Sequence, residues 1–251
     1  MNIILKEIIE RNRREAPELP VGRSSRQRKV IDAAASLRMK PFIAEIKKAS
    51  PSAGEICSGV DVLAQAKYYR RGGAGAVSVL TEPAYFKGSI DNLKAVAGAI
   101  DLPVLCKDFI VHERQIERAH EAGADMVLLI AAILTHQELR RLTAIAGILG
   151  LSVLHEIHRI EEFVKLRGID CTMVGVNARD LSTFTVDLPA AADTMRNLSG
   201  NFLKIAESGI SRADDVRLMR SSGAQAFLVG SSLMKSGDPE GALRELYAGL
   251  D

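Results

Sequence analysis

The 251-residue sequence contains no tryptophan, only 4 % aromatic residues and three cysteines. A core must therefore be built mainly from aliphatic side chains. The cysteines form an odd set without a CxxC pair, which argues against a disulfide framework and is typical of a reducing compartment. The longest apolar run, residues 126–134, is too short to span a bilayer. The first residues, MNIILKEIIERNRRE, show helical spacing rather than the apolar centre of a signal peptide, so we expect a cytoplasmic protein without a membrane partner.

The formal net charge is only +2, so the composition gives no reason to expect a nucleic-acid partner. Residues 1–48 nevertheless carry an excess of Lys and Arg. We favour a solvated helical face as the explanation. Steering of an anionic substrate and RNA binding remain alternatives, and RNA binding predicts a salt-sensitive gel shift.

From residue 41 onward, short apolar runs alternate with amphipathic stretches, as in parallel β–α–β units. The length is close to that of one barrel of eight such units. The sequence therefore predicts an α/β fold, a single (β/α)8 TIM-barrel domain over residues 1–251. An open doubly wound sheet is the alternative, although no GxGxxG motif follows the first run. The eight runs are 41–47, 76–81, 103–109, 126–133, 152–158, 173–178, 203–208 and 226–231.

Residues 1–40 precede the first run and predict an N-terminal helical extension of one or two helices, interrupted by Pro17, Pro20 and Gly22. Such an extension can cover either end of the barrel or fold over the active site.

Charged and amide side chains recur inside the predicted strands or at their C-terminal ends. A lone buried charge costs several kcal/mol, so these groups are expected to compensate one another. Catalytic residues of such barrels come from the C-terminal ends of several strands, which favours a catalytic cluster over a structural ion-pair network. The candidates are Glu45, Lys47, Lys107, Glu156, Asn177 and Glu207.

Two glycine-bearing turns follow the last two predicted strands. They are Ser208-Gly209-Ile210 and Gly230-Ser231-Ser232. Backbone N–H groups in such turns can approach an anion closely, and barrels frequently bind phosphate at these two positions. Together the turns predict a phosphate site.

These residues lie in segments that resemble the indole-3-glycerol-phosphate synthase family, in the family's order and spacing. The first segment and the KDF triplet are highly specific, whereas AESGI and VGSS are shared by other phosphate-binding barrels. Ala178 and His155 depart from the residues that are commoner in the family. The similar segments are AEIKKASPSAGEI (44–56), LTEPAYFKGS (80–89), LPVLCKDFIVHERQI (102–116), GADMVLLIAAIL (123–134), VGVNARDL (174–181), AESGI (206–210) and FLVGSSLM (227–234).

The resemblance implies ring closure of 1-(2-carboxyphenylamino)-1-deoxyribulose 5-phosphate to indole-3-glycerol phosphate, with release of CO2 and H2O, in tryptophan biosynthesis. No cofactor or metal is implied. Lys107 matches the family's candidate general acid, and Lys47 matches a lysine near the substrate carboxylate. Glu156 matches a base for dehydration. Glu45 is implied to orient the lysines, Asn177 to bind reacting oxygens, and Glu207 to hold a lysine or a substrate hydroxyl.

The resemblance also implies a set of residues that bind the substrate without reacting. The phosphate candidates are Ser208, Gly209, Gly230 and Ser231, with Ser50 or Lys47 reaching it from the first loop. Phe86, Phe109, Leu128 and Leu228 are implied to enclose the anthranilate ring, although plain packing is the alternative for each. Arg179 is implied to support Glu45 or Asn177, and residues 50–54 to form a mobile flap. We expect a phosphorylated small-molecule substrate and a monomer or weak homodimer.

Two other hypotheses stay open. Another phosphate-binding barrel, such as phosphoribosylanthranilate isomerase or the tryptophan synthase α subunit, is possible; the isomerase needs a Cys/Asp acid–base pair. A silent barrel that only binds a phosphate ligand or a partner protein is the second, and the complete set of charged candidates argues against it.

Overall fold

The computed structural model describes residues 2–22, 26–57 and 59–251. In this part of the chain, eight parallel strands pair in sequence order, and the last strand pairs with the first to close a barrel. The predicted (β/α)8 barrel is therefore confirmed, and the open doubly wound sheet is wrong. The strands are β1 (Phe42–Ile46), β2 (Ala76–Leu80), β3 (Val104–Lys107), β4 (Met126–Ile130), β5 (Ser152–Ile157), β6 (Met173–Asn177), β7 (Leu203–Glu207) and β8 (Ala226–Val229).

Helices follow the strands and surround the barrel. Their starts are fixed by side-chain caps: the Asp61 carboxylate accepts the first free N–H groups of one helix, and Thr135 with Glu138 forms a capping box on another. The helices are α1 (Ile3–Glu15), α2 (Ala33–Met39), α3 (Val62–Gly72), α4 (Ile90–Ala99), α5 (Glu113–Glu121), α6 (His136–Ile148), α7 (Leu188–Asn197), α8 (Ala213–Ser221), α9 (Ser231–Lys235) and α10 (Pro239–Tyr247).

Two further connections are 3-10 helices, Ala16–Glu18 and Ile160–Leu166, and the second replaces an α-helix between β5 and β6. Among the described helices, none is long and apolar enough to cross a membrane.

The apolar core lies on both faces of the barrel wall. Inside the barrel, alternation places the fully buried Ile43, Leu105 and Leu154 below the polar groups at the strand ends. Outside it, Phe42 of β1 contacts Tyr247 of α10, with ring centroids 4.8 Å apart. Strands buried on both faces explain why the apolar runs are nearly continuous in the sequence.

The first helix of the extension covers the C-terminal end of the barrel. Leu5 of α1 lines the cavity at that end. Asn12 donates a hydrogen bond to the Phe109 carbonyl at 2.8 Å, and Arg11 forms a 2.7 Å ion pair with the fully buried Glu82. The helical extension is thus part of the wall around the strand ends.

The second part of the extension packs at the opposite end of the barrel. Asp125, fully buried just before β4, pairs with Arg26 at 2.6 Å and with Arg28 at 2.7 Å. The same carboxylate accepts the backbone N–H groups of Ile31 and Val104. The favoured explanation of this basic segment as a solvated face is therefore wrong for the two arginines, whose side chains are only 7 % and 18 % exposed. Their charges are needed to compensate Asp125.

Candidate active site

A cavity of about 320 Å³ opens at the C-terminal ends of the strands. All residues that the sequence singled out for catalysis or substrate binding line it, so the fold brings the complete set together. These are Glu45, Lys47, Ser50, Phe86, Lys107, Phe109, Leu128, Glu156, Asn177, Arg179, Glu207, Ser208, Gly209, Leu228, Gly230 and Ser231.

The floor of the cavity holds a lysine between two carboxylates. Lys107 Nζ lies 2.7 Å from Glu207 Oε2 and 3.0 Å from Glu156 Oε2. The three side chains come from β3, β5 and β7; the two carboxylates are buried, and the lysine side chain is 13 % exposed. Side chains of alternate barrel strands point into the same interior layers, which explains how residues 49 and 100 positions apart from Lys107 come to meet.

The two carboxylates are in different electrostatic environments. Burial alone would raise the pKa of both. For Glu156, the charges of Lys107 and His158 and a hydrogen bond from Asn177 outweigh burial and hold the pKa below its ordinary value. For Glu207, burial and the neighbouring Glu156 outweigh Lys107 and raise the pKa. Glu207 Oε1 is buried without a hydrogen-bond partner among the described residues. A proton on this pair therefore resides on Glu207, and Glu156 is the ionised member.

Lys107 itself is firmly protonated. Burial would lower its pKa, but the nearby carboxylates, Glu156 and Glu207 foremost, raise it above the ordinary value. The group therefore enters the reaction as an ammonium that can donate a proton or a hydrogen bond.

A second ion pair lies on β1 and the residue after it. Lys47 Nζ is 2.9 Å from Glu45 Oε1, and Glu45 is only 4 % exposed. Their positions two residues apart place both on the inner face, as alternation predicts. Glu45 therefore compensates Lys47 directly.

Two glycines make room for these carboxylates. A Cβ atom at Gly175, in the middle of β6, would lie 2.0 Å from Glu207 Oε1. A Cβ atom at Gly230 would lie 2.6 Å from Glu45 Oε1. Gly175 was missed from the sequence, although a glycine inside a buried strand is a recognised sign of close approach by another group.

A short hairpin and the loop after β6 form one side of the rim. Residues Ala49–Ser50 pair with Gly54–Glu55, which gives the segment proposed as a flap a defined two-stranded form. The Arg179 guanidinium donates to Ser52 Oγ at 3.1 Å and to the Phe184 carbonyl at 2.8 Å. The backbone N–H of Arg179, rather than its side chain, supports Asn177 Oδ1 at 3.0 Å.

Aromatic and aliphatic side chains form the apolar wall. Phe86 and Phe109 have ring centroids 5.9 Å apart, and Leu128 and Leu228 line the same cavity. Several apolar residues of this wall were not predicted from the sequence. Ile130 was detectable because it follows Leu128 by two positions on one strand. The loop and extension residues had no periodic signal; they are Leu5, Leu181, Phe184 and Val186.

Glu82, which supports a loop of the cavity wall, was also not predicted from the sequence. Its fully buried carboxylate accepts the backbone N–H groups of Ala84, Tyr85 and Phe86, at 2.7–2.9 Å, besides pairing with Arg11. This arrangement fixes the loop that carries Phe86. A charged residue near the C-terminal end of a barrel strand was the available signal, as it was for Glu207, the last residue of β7.

The two predicted phosphate turns reach the cavity as well. Ser208 and Gly209 after β7 both adopt positive φ angles, 65° and 78°. Gly230 precedes α9, whose first N–H groups, at Ser231 and Ser232, have no partner within the helix. The arrangement provides backbone donors for an anion at one edge of a cavity that carries lysines at its floor.

Cys106 does not belong to this site. It points away from Lys107, is buried, and has its pKa raised to about 12 by burial. The Cys/Asp acid–base pair that an isomerase would need is therefore not formed by Cys106 in this cavity.

Sequence comparisons match the chain to one family over nearly its full length. A profile described as "Indole-3-glycerol phosphate synthase" matches residues 5–246. The protein of that name from Listeria welshimeri is 42 % identical over 246 residues, covering 96 % of this chain and 97 % of the relative. The one from Bacillus cereus is 40 % identical over 242 residues, covering 94 % of each chain.

Solved structures support the fold alone. The 3-hexulose-6-phosphate synthase of Salmonella typhimurium superposes with a TM-score of 0.62 at 16 % identity, covering 84 % of this chain and 98 % of that one. The thiamine phosphate pyrophosphorylase of Pyrococcus furiosus gives a TM-score of 0.59 at 16 % identity, covering 85 % and 96 %.

Proposed function

Because the chain belongs to the indole-3-glycerol phosphate synthase family, we propose that the cavity described above performs that family's ring closure. The substrate is 1-(2-carboxyphenylamino)-1-deoxyribulose 5-phosphate, and the products are indole-3-glycerol phosphate, CO2 and H2O. The observation that carries the assignment of roles is the ammonium of Lys107, held between the buried carboxylates of Glu156 and Glu207 beside an apolar wall.

The first step forms the carbon–carbon bond. The ring carbon that bears the carboxylate attacks the ribulose carbonyl carbon, and the carbonyl oxygen gains negative charge. The Lys107 ammonium donates a proton to this oxygen, because its raised pKa keeps it protonated and two carboxylates hold it in place. A positioned acid of this kind contributes about 10²–10⁴-fold to the rate.

The second and third steps release CO2 and water. Breaking the carbon–carboxylate bond returns its electron pair to the ring, so the aromatic system itself takes up the charge and the proposal includes no cofactor or metal. Loss of the hydroxyl as water then requires one of the two site lysines to protonate the leaving oxygen and a base to take the proton that leaves the ring system. Glu156 takes this role because its lowered pKa keeps it ionised.

The two ends of the substrate require different surroundings. Backbone donors at Gly209, Ser231 and Ser232 suit the phosphate ester. The apolar wall of Phe86 and Phe109 suits the anthranilate ring, which loses contact with water there. Lys47, compensated by Glu45 in the absence of substrate, suits the substrate carboxylate.

The test is an indole fluorescence assay on the purified protein, which is favourable because the chain contains no tryptophan. The parent is expected to form product without added metal or cofactor, and Lys107→Ala to form almost none. Lys94→Ala, at an exposed position of α4, is the matched control and should equal the parent. Equal rates for the parent and Lys107→Ala would refute the acid assignment, and no product from the parent would refute the function.

A further inference from the structure

Directly behind Glu156 lies a histidine to which the reaction scheme above assigns no role. His158 Nε2 is 3.4 Å from Glu156 Oε1, and His158 Nδ1 is 3.5 Å from Glu162 Oε2. The side chain is only 7 % exposed. Glu156 lines the cavity and His158 does not. The imidazole therefore lies between a cavity carboxylate and a carboxylate of the 3-10 helix that follows β5.

This geometry favours a particular protonation state. A neutral imidazole has one N–H donor and one lone pair, so one of its nitrogens would direct a lone pair at a carboxylate oxygen. Only the doubly protonated ring can donate toward both carboxylates. Burial would lower the pKa of His158, but Glu162, Glu156 and Glu207 outweigh burial and raise it. Geometry and charge thus both favour the imidazolium.

Glu162 is itself held in position. Its Oε2 atom accepts the backbone N–H of His158 at 2.8 Å, so the chain segment that carries the imidazole also fixes the carboxylate behind it. Neither ring nitrogen has an aligned hydrogen bond within the described part of the chain. Hydrogen bonds around a catalytic carboxylate can tighten when substrate binds.

The inner site holds more carboxylates than ammonium groups, so one carboxylate must carry a proton or be compensated by a further cation. The floor and β1 together hold one carboxylate more than they hold ammonium groups, the carboxylates being Glu45, Glu156 and Glu207 and the ammonium groups Lys47 and Lys107. Groups facing His158 from the surrounding elements are Glu156 on β5, Glu162 on the 3-10 helix and Glu207 on β7. A positive charge on His158 is closest to Glu156 and favours its ionised form.

Building on the proposed function, we propose that His158 is a positioning residue. Held as an imidazolium by Glu162, it fixes Glu156 Oε1 and keeps Glu156 ionised, so that the proton shared by the two floor carboxylates resides on Glu207. Glu156 then remains a base at lower pH than its burial would allow. The choice of Glu156 over Glu207 as base is in this way set from outside the cavity.

The first test is the pH profile of kcat for the parent, His158→Gln and Glu162→Gln. Without the positive charge Glu156 takes up a proton more readily, so we expect the acid limb of His158→Gln to move upward by about one pH unit. We expect kcat near neutral pH to fall about tenfold with KM within about twofold, because the substrate does not touch the histidine. Glu162→Gln should move the limb in the same direction by less.

The matched control is His155→Gln. His155 is fully buried on β5, which ends just before His158, and its Nε2 atom forms a 2.9 Å hydrogen bond with Thr143 Oγ1 of α6 on the outer face of the barrel. This variant loses a buried imidazole outside the site and should keep the parental pH profile. An acid limb of His158→Gln that coincides with that of the parent would overturn the proposal.

The second test does not require activity. In protein with ¹³C-labelled histidine, the His158 resonance should titrate above free histidine in the parent, and at lower pH in Glu162→Gln and Glu156→Gln. A His158 that is neutral at pH 7 would overturn the proposal. If the parent formed no product, the proposed function would fail while this titration still decided the charge of His158.

Discussion

Replacing Lys107 by methionine removes the ammonium but keeps much of the side-chain volume. Two buried carboxylates, Glu156 at 2 % and Glu207 at 1 % side-chain exposure, then face each other without their shared cation. Removing one partner of a buried ion pair typically costs about 3–5 kcal/mol, because the remaining charge stays buried and uncompensated. We expect a loss of this size in the free energy of unfolding at pH 7.5.

The loss should depend on pH in a defined direction. In the parent, the pKa of Glu156 is lower in the folded than in the unfolded state. Ionised Glu156 therefore stabilises the fold above the pKa of an unfolded Glu, and this stabilisation is lost on acidification through the folded-state pKa. In the variant, burial without Lys107 raises the pKa of both carboxylates in the folded state. A carboxyl group whose pKa is raised by folding contributes fully to stability below the pKa that it has in the unfolded chain. This contribution is lost as the pH rises through the pKa of the folded state. The difference between parent and variant in the free energy of unfolding should therefore fall at pH 5 to less than about half of its value at pH 7.5.

The measurement is urea unfolding followed by far-UV circular dichroism at pH 7.5 and pH 5, since the chain has no tryptophan to report by fluorescence. Lys87→Met is the control, because it breaks an ion pair with Glu55 at the surface. The Lys87 side chain is 53 % exposed. That change should cost no more than about 1 kcal/mol at either pH. A Lys107→Met loss below about 1 kcal/mol, or one equal at both pH values, would show that Lys107 does not compensate the floor carboxylates.

Three further changes test other parts of the site and its support. Gly175→Ala should displace Glu207, lower kcat at least about tenfold and cost about 1–3 kcal/mol of stability. The control is Gly147→Ala on α6, which has free space around it and should be neutral or stabilising by up to about 1 kcal/mol. Enzyme kinetics and urea unfolding compare the two variants. Glu82→Gln should raise KM more than it lowers kcat, because one of the two oxygens that accept the backbone N–H groups of the Phe86 loop becomes an NH2 donor; an unchanged KM would contradict this. Asp125→Asn should cost about 3–5 kcal/mol by leaving two buried arginines uncompensated, yet kcat measured below the unfolding transition should equal that of the parent.

The sequence by itself determined the barrel and the polar candidates at the strand ends, whereas Leu5, Phe184 and Val186 of the cavity wall were not predicted. Strand runs are read from local alternation and apolar continuity, and a parallel barrel places every strand's C-terminal end at one opening. Polar residues at those ends, such as Lys107 on β3 and Glu207 on β7, therefore meet in any closed barrel of this register. The glycine turns after β7 and β8 follow from the same rule.

The tertiary structure alone decided which groups compensate which. Arg26 and Asp125 are 99 positions apart, and Arg11 and Glu82 are 71 apart, so no local pattern links them. The extension was therefore predicted as helical, while its contacts at both ends of the barrel were not. The unequal charge states of Glu156 and Glu207 likewise depend on which charged side chains lie 2.7–3.4 Å from each carboxylate. Burial and electrostatic interaction act through space, and the order of residues along the chain does not contain those distances.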